Sequence, residues 1–188
     1  MTIIRQQDLI DSVADALQYI SYYHPVDFIQ AVKQAYDREE SKAAKDAMAQ
    51  ILVNSRMCAM GHRPICQDTG IVTVFVRVGM NVQWQGDMSL TDMINQGVRQ
   101  AYTHPDNVLR ASILSDPDGE RKNTGDNTPA VIHYDIVPGD KVSIDVAAKG
   151  GGSEAKSKFA MLNPSDSVVD WVLKMVPTMG AGWCPPGM

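Results

Sequence analysis

Apolar positions recur in two rhythms along this chain, and the change of rhythm divides it. Leu9, Ile10, Val13, Ala16, Leu17 and Ile20 fall at three- and four-residue spacings and share one face of a predicted first helix. Pro25 suits the first turn of a second helix, where its missing N–H costs nothing, with Phe28, Ile29, Val32, Ala35 and Tyr36 along one side. An alanine-rich stretch over 41–57 predicts a third helix. After Gly61 the β-branched run 71–78 predicts a buried strand ending at Gly79. Residues 91–102 read as a helix, and 116–127, polar and rich in turn formers, as an exposed loop. Two strand-like runs, 130–137 and 141–148, are joined by Pro138-Gly139-Asp140 and predict an antiparallel hairpin. A last helix over 167–175 stops before Pro177.

These elements predict an α+β fold in one domain over 1–188, with a helical layer (1–60) packed on a mainly antiparallel sheet in the α/β part (61–188). A chain of 188 residues that is 44% hydrophobic and 21% charged can bury a proper core. The net charge of −5 comes without a Lys/Arg cluster, which argues against a nucleic-acid partner. No apolar run approaches the roughly 20 residues needed to cross a bilayer, and the polar start at Thr2 and Arg5 is not a secretory signal, so no membrane partner and a cytoplasmic location are expected. Three cysteines, an odd number at positions 58, 66 and 184, do not form a disulfide framework and are expected to be reduced thiols.

The densest chemistry lies in Cys66-Gln67-Asp68-Thr69-Gly70, which puts a thiol, an amide, a carboxylate and a hydroxyl on one loop between a helix and a strand. By residue type alone this reads first as a buried cysteine and a turn-forming aspartate, and second as a metal or catalytic loop. Lys149-Gly150-Gly151-Gly152-Ser153 leaves a strand, and its glycines allow backbone N–H groups to approach a carboxylate or phosphate closely. Its spacing matches neither nucleotide-binding glycine motif, and a flexible connector is the plain reading. In Cys184-Pro185-Pro186 the proline fixes chain direction beside a sulfur. Arg110 offers a cation for a carboxylate, or is an ordinary surface arginine. His62, His104 and His133 lack metal-ligand spacing and are expected to be structural, so no zinc site is predicted.

Taken in order, Asn54-Ser55, residues 64–70, Asp106-Asn107-Val108-Leu109-Arg110, Asn123-Thr124-Gly125, residues 148–153 and Cys184-Pro185-Pro186 resemble the N-terminal region of class I fumarate hydratases and the related tartrate dehydratase α subunits. The resemblance implies reversible hydration of fumarate to L-malate at a [4Fe–4S] cluster held by three cysteines, with one iron acting as Lewis acid. Cys66 and Cys184 match the first two cluster ligands, and Asp68 matches a carboxylate with an acid role at the departing hydroxyl. Gln67, Asp68 and Arg110 match substrate-binding groups, and Gly151 and Gly152 would add backbone contacts. Cys58 lies outside the matching motif.

The family's third cysteine and its proton-abstracting hydroxyl residue fall in a segment beyond Met188, and the loop-like ending Trp183-Cys184-Pro185-Pro186-Gly187-Met188 predicts that the natural chain continues. These 188 residues are therefore expected to be inactive and to hold no intact cluster until a C-terminal domain or a β subunit completes the site. The family also implies a homodimer and a small dicarboxylate substrate. A tartrate dehydratase α subunit and a non-catalytic carboxylate-binding domain remain the alternatives.

Overall fold

The three-and-four spacing at the start of the chain folds as a helix, α1 (Gln6–Tyr22), which buries Leu9, Ile10, Val13, Ala14 and Leu17. It follows a short strand, β1 (Thr2–Arg5). The computed structural model describes residues 2–150 and 158–179, which divide into two units, Met1–Gly150 and Gly151–Met188. Pro25 introduces α2 (Val26–Arg38). Ser41 caps α3 (Lys42–Gly61), its hydroxyl accepting from the Ala44 amide, which satisfies one of the orphan donors at a helix start. Helices α2 and α3 pack chiefly on each other, and only Ser55 and Cys58 of the pair are buried.

The hydrophobic core instead gathers α1, β2 (Ile71–Gly79) and α4 (Leu90–Tyr102). Val72, Val74 and Val76 alternate onto the inner face of β2 and are fully buried, while Ile71 and Phe75 point outward and are exposed. The strand expected to be buried is thus buried on one face only. Each inner valine contributes on the order of 1.5–3 kcal/mol of burial. Helix α4 starts at the Ser89 cap and buries Met93, Ile94, Val98, Ala101 and Tyr102. Gly97 lets it lie against α1: a Cβ there would stand 2.7 Å from the Ile10 carbonyl oxygen and 2.8 Å from the Val13 Cβ.

The α+β class holds, but the sheet corrects two expectations. β4 (Val131–Val137) and β5 (Val142–Lys149) are the predicted strands, yet they do not pair with each other. The order is β4-β2-β5, with β2 parallel to β4 and antiparallel to β5. β3 (Val82–Gln85) pairs in parallel with β1, a second sheet that the polar start of the chain did not announce. The three-stranded sheet is therefore mixed and the two-stranded one parallel, rather than mainly antiparallel. The physical reason is that β2 carries the most completely apolar face and takes the centre. The four-residue connection after β4 then arches over its end, where the Gly79, Met80 and Asn81 amides donate to the carbonyls of Lys141, Val137 and Gly139. A turn that looks local spans two strand spacings.

The second unit contains α5 (Val168–Met175), capped by Ser167, whose hydroxyl accepts from the Asp170 amide, and followed by a 3-10 turn over Val176–Met179. Among the described residues no helix is long and apolar enough to cross a membrane.

Two polar anchors set the start of β2. Tyr102, fully buried, donates its hydroxyl to the carbonyls of Thr69 at 2.5 Å and Gly70 at 3.3 Å. Asn127, also fully buried, donates its amide to the Gly70 carbonyl at 2.9 Å and accepts from the Ser112 amide at 2.7 Å. The loop over 116–127, expected to be exposed, is exposed along most of its length but ends on this buried asparagine. Beside it, Asp126 takes a 2.8 Å hydrogen bond from Arg99 and two from Thr128.

Burial pushes the Tyr102 phenol up to about 12, opposed by its bond to Thr69 and assisted by the charge of Asp68. A raised phenol contributes stability that is complete below about pH 10 and lost as pH rises through about 12. Chemical denaturation across that range should show the loss, and Tyr102→Phe should flatten it while costing about 1–3 kcal/mol at neutral pH. Burial works against ionisation of Asp126, but its bonds to Thr128 and Arg99 prevail and hold it at about 2. Its stabilisation is present above about pH 4 and lost as pH falls through about 2. Asp126→Asn should lower stability at pH 7 by about 1 kcal/mol, allowing for screening at the half-exposed Arg99, and blunt the acid limb of the same titration.

Candidate functional site

The loop between α3 and β2 carries the residues that the sequence singles out. Cys66 is half-buried; its thiol donates to the Gln67 side-chain oxygen at 3.3 Å and its sulfur accepts from the Asp68 amide at 3.5 Å. Asp68, also half-buried, turns its carboxylate back to accept from the Gly70 amide at 3.2 Å. Gly70 closes the loop at φ +81°, packed so tightly on β5 that a Cβ would stand 2.7 Å from the Lys149 carbonyl carbon. Only glycine combines that backbone sign with that clearance.

Other parts of the first unit converge on this loop. The Thr69 hydroxyl donates to the Arg110 carbonyl at 2.6 Å, which joins the two predicted motifs through the backbone. The Arg110 side chain is exposed, and among the described residues its guanidinium has no carboxylate partner. The segment before it is fastened to α1: buried Asn107 donates to the Gln18 side-chain oxygen at 2.8 Å, and Gln18 donates to the carbonyls of Asn107 at 3.0 Å and Ala101 at 2.6 Å. Gly150 lies against Asp68, so close that a Cβ there would come within 2.9 Å of the carboxylate. The glycine run therefore begins at the carboxylate.

A cavity of about 100 Å³ opens among Cys66, Asp68 and Thr69 of the loop, Ser21 of α1, Tyr102 of α4 and Ala148 of β5. It has room for several waters or a small polar group and is well below the size of ordinary small-molecule pockets. Gly151, Gly152 and Cys184, the other predicted site residues, lie outside the described residues.

Burial raises the Cys58 thiol, which stands within reach of the Asn54 side-chain oxygen and the Pro64 carbonyl, both at 3.6 Å. It is a core cysteine, as its position outside the motif predicts. Among the histidines, His62 stacks on Tyr22, His133 stacks on Phe75, and His104 accepts from the Asp106 amide, all structural contacts. Among the described residues no three His, Cys, Asp or Glu side chains gather as a metal site. A half-buried thiol on a loop pinned at both ends fits one thiolate position of an iron–sulfur cluster, with the remaining ligands to come from elsewhere.

Tyr102, Asn127, Asn107 and Gln18 hold the site together, yet sequence reasoning gave none of them a role. The available signal was a polar side chain next to an apolar run: Gln18 follows Leu17, and Asn107 precedes Val108 and Leu109.

The model of the fumarate hydratase (Fumerase) family matches residues 10–188. The L(+)-tartrate dehydratase subunit alpha of Escherichia coli strain UTI89 is 32% identical over 182 residues, covering 95% of this chain and 59% of that one. Its counterpart in strain K12 is 31% identical over the same shares. A Methanocaldococcus jannaschii protein provisionally named for the same subunit is 30% identical, covering 94% of this chain and 63% of its own. The chain thus spans about three fifths of the length of the curated relatives it matches. With a match that runs through the Cys66 loop, Arg110 and the glycine run, this chain belongs to the fumarate hydratase (Fumerase) family.

Proposed function

We propose that this chain is the N-terminal part of a hydro-lyase that interconverts fumarate and L-malate, with a [4Fe–4S] cluster held in part by Cys66 and Cys184. The observation that carries the reading is the convergence of the Cys66–Asp68 loop, the Arg110 segment and Gly150 in a member of this family. When bound, the cluster would supply a Lewis acid to the hydroxyl of the substrate.

The chain's own groups divide the remaining work. Asp68, whose carboxylate accepts from the Gly70 amide, is in this reading the acid that gives a proton to the departing hydroxyl. Gln67 and Arg110 bind the substrate carboxylates, the arginine as a bidentate clamp. Backbone N–H groups of Gly151 and Gly152 add contacts to the same diacid. Tyr102, kept neutral by its burial, closes the inner wall of the cavity without adding charge.

In this reading activity requires a C-terminal domain or β subunit to complete the site, and the 188 residues alone are inactive. The full assembly is cytoplasmic and homodimeric in this reading. The names of the relatives favour a second reading, in which the chain is the α subunit of a dehydratase acting on L(+)-tartrate beside a β subunit.

Anaerobic assay of the full-length protein with fumarate, L-malate and L(+)-tartrate decides between the two, and activity on tartrate alone selects the second. Cys66→Ala should abolish iron retention measured by metal analysis, whereas Cys58→Ala should leave it intact. Asp68→Asn should keep the iron and lower kcat by about 10²–10⁴-fold. A full-length protein that hydrates fumarate with no iron would refute the cluster.

A further inference from the structure

The Cys66 loop leaves α3 by a reversal rather than by a simple turn. His62 ends the helix in the left-handed region, at φ +46°, and the chain folds back along the last two turns it has just made. Each residue of the return is tied to the helix. The Arg63 amide donates to the Cys58 carbonyl at 3.2 Å, the Pro64 carbonyl faces the Cys58 thiol at 3.6 Å, and the Ile65 carbonyl accepts from the Asn54 side-chain amide at 3.1 Å. The Ile65 amide donates to the Ser21 carbonyl of α1 at 2.8 Å. Ile65 is the last residue before Cys66, so the bond from Asn54 is the final constraint before the thiol.

Asn54 suits this task by chemistry. One side of its amide donates to the Ile65 carbonyl while the other faces the Cys58 thiol, a donor, at 3.6 Å. The reversed orientation would set an oxygen against a carbonyl and an NH₂ against a thiol, so both neighbours fix the same one. An aspartate has the same shape but only acceptors, and would keep the thiol contact while losing the carbonyl.

We infer that Asn54 is a positioning residue for Cys66: its side-chain amide holds the Ile65 carbonyl and thereby fixes where the thiol stands at the cavity. This deepens the proposed function, because a ligand cysteine must be held in place before the cluster arrives. The assignment concerns the thiol's placement and is tested without turnover.

The experiment uses the full-length protein prepared without iron, alkylated with iodoacetamide and followed at each cysteine by peptide mass spectrometry. Asn54→Ala and Asn54→Asp both remove the donor, and only the second adds charge, so agreement between them isolates the hydrogen bond. Both should change the rate of Cys66 alkylation by about five-fold, the effect of one lost hydrogen bond on a local opening. Cys58 should stay protected and Tm nearly unchanged, with Val53→Ala on the same helix as the control. Unaltered Cys66 rates in both variants would overturn the inference, and so would equal acceleration of Cys58 and Cys66, which marks general loosening. On reconstitution, both variants should bind less iron per chain than the parent. If the parent itself binds no iron, the proposed function fails, while the alkylation rates still decide the role of Asn54.

Discussion

Two hydrogen-bond donors buried beneath the start of β2 hold the first unit's chemistry in place. Tyr102 and Asn127 both point at the Gly70 carbonyl, from a helix and from the end of a long loop. A buried carbonyl without a partner costs on the order of 1–3 kcal/mol, so the two donors do more than decorate the loop. They decide where the chain stops being loop and starts being the central strand. The half-turn before that point carries Cys66, Gln67 and Asp68, and is held from the other side by α3. The loop is short, and it is fixed at both ends by rigid elements.

The fold was legible wherever periodicity reports burial. α1 followed from spacing and buries the face that spacing marks, and Ser41 and Ser167 cap their helices where the sequence places the starts. The sheet was not legible, because strand order is a tertiary competition. Pro138-Gly139-Asp140 has the composition of a hairpin turn, but nothing local records that the valine face of β2 wins the place between the two strands. Strands β1 and β3 are short, with alternate residues only half-buried, and carry too weak a pattern to be read.

The candidate site is read from an ordered series of motifs and not from single residues. Cys66, Asp68, Arg110 and the glycine run all have commonplace readings, and the structure brings the described ones together through contacts that spacing does not encode. The Thr69 hydroxyl meets Arg110 by its backbone, not by its charge. The buried amides of Asn107 and Asn127 have no signature in composition, since asparagine is read as a turn residue and both here act as scaffolding.

The place of β2 in the sheet has a consequence for the order in which a nascent chain matures. Both neighbours of this strand, β4 and β5, are made after it, separated from it by a helix and a long loop. The glycine that closes the cysteine loop rests on the backbone of Lys149, the last residue of the last strand. During synthesis the cysteine loop therefore leaves the ribosome well before the β5 backbone on which Gly70 packs. Strand pairings of such long separation are slow to form. The α3 side of the loop can form first, and the β5 side closes on it only once Lys149 has been made.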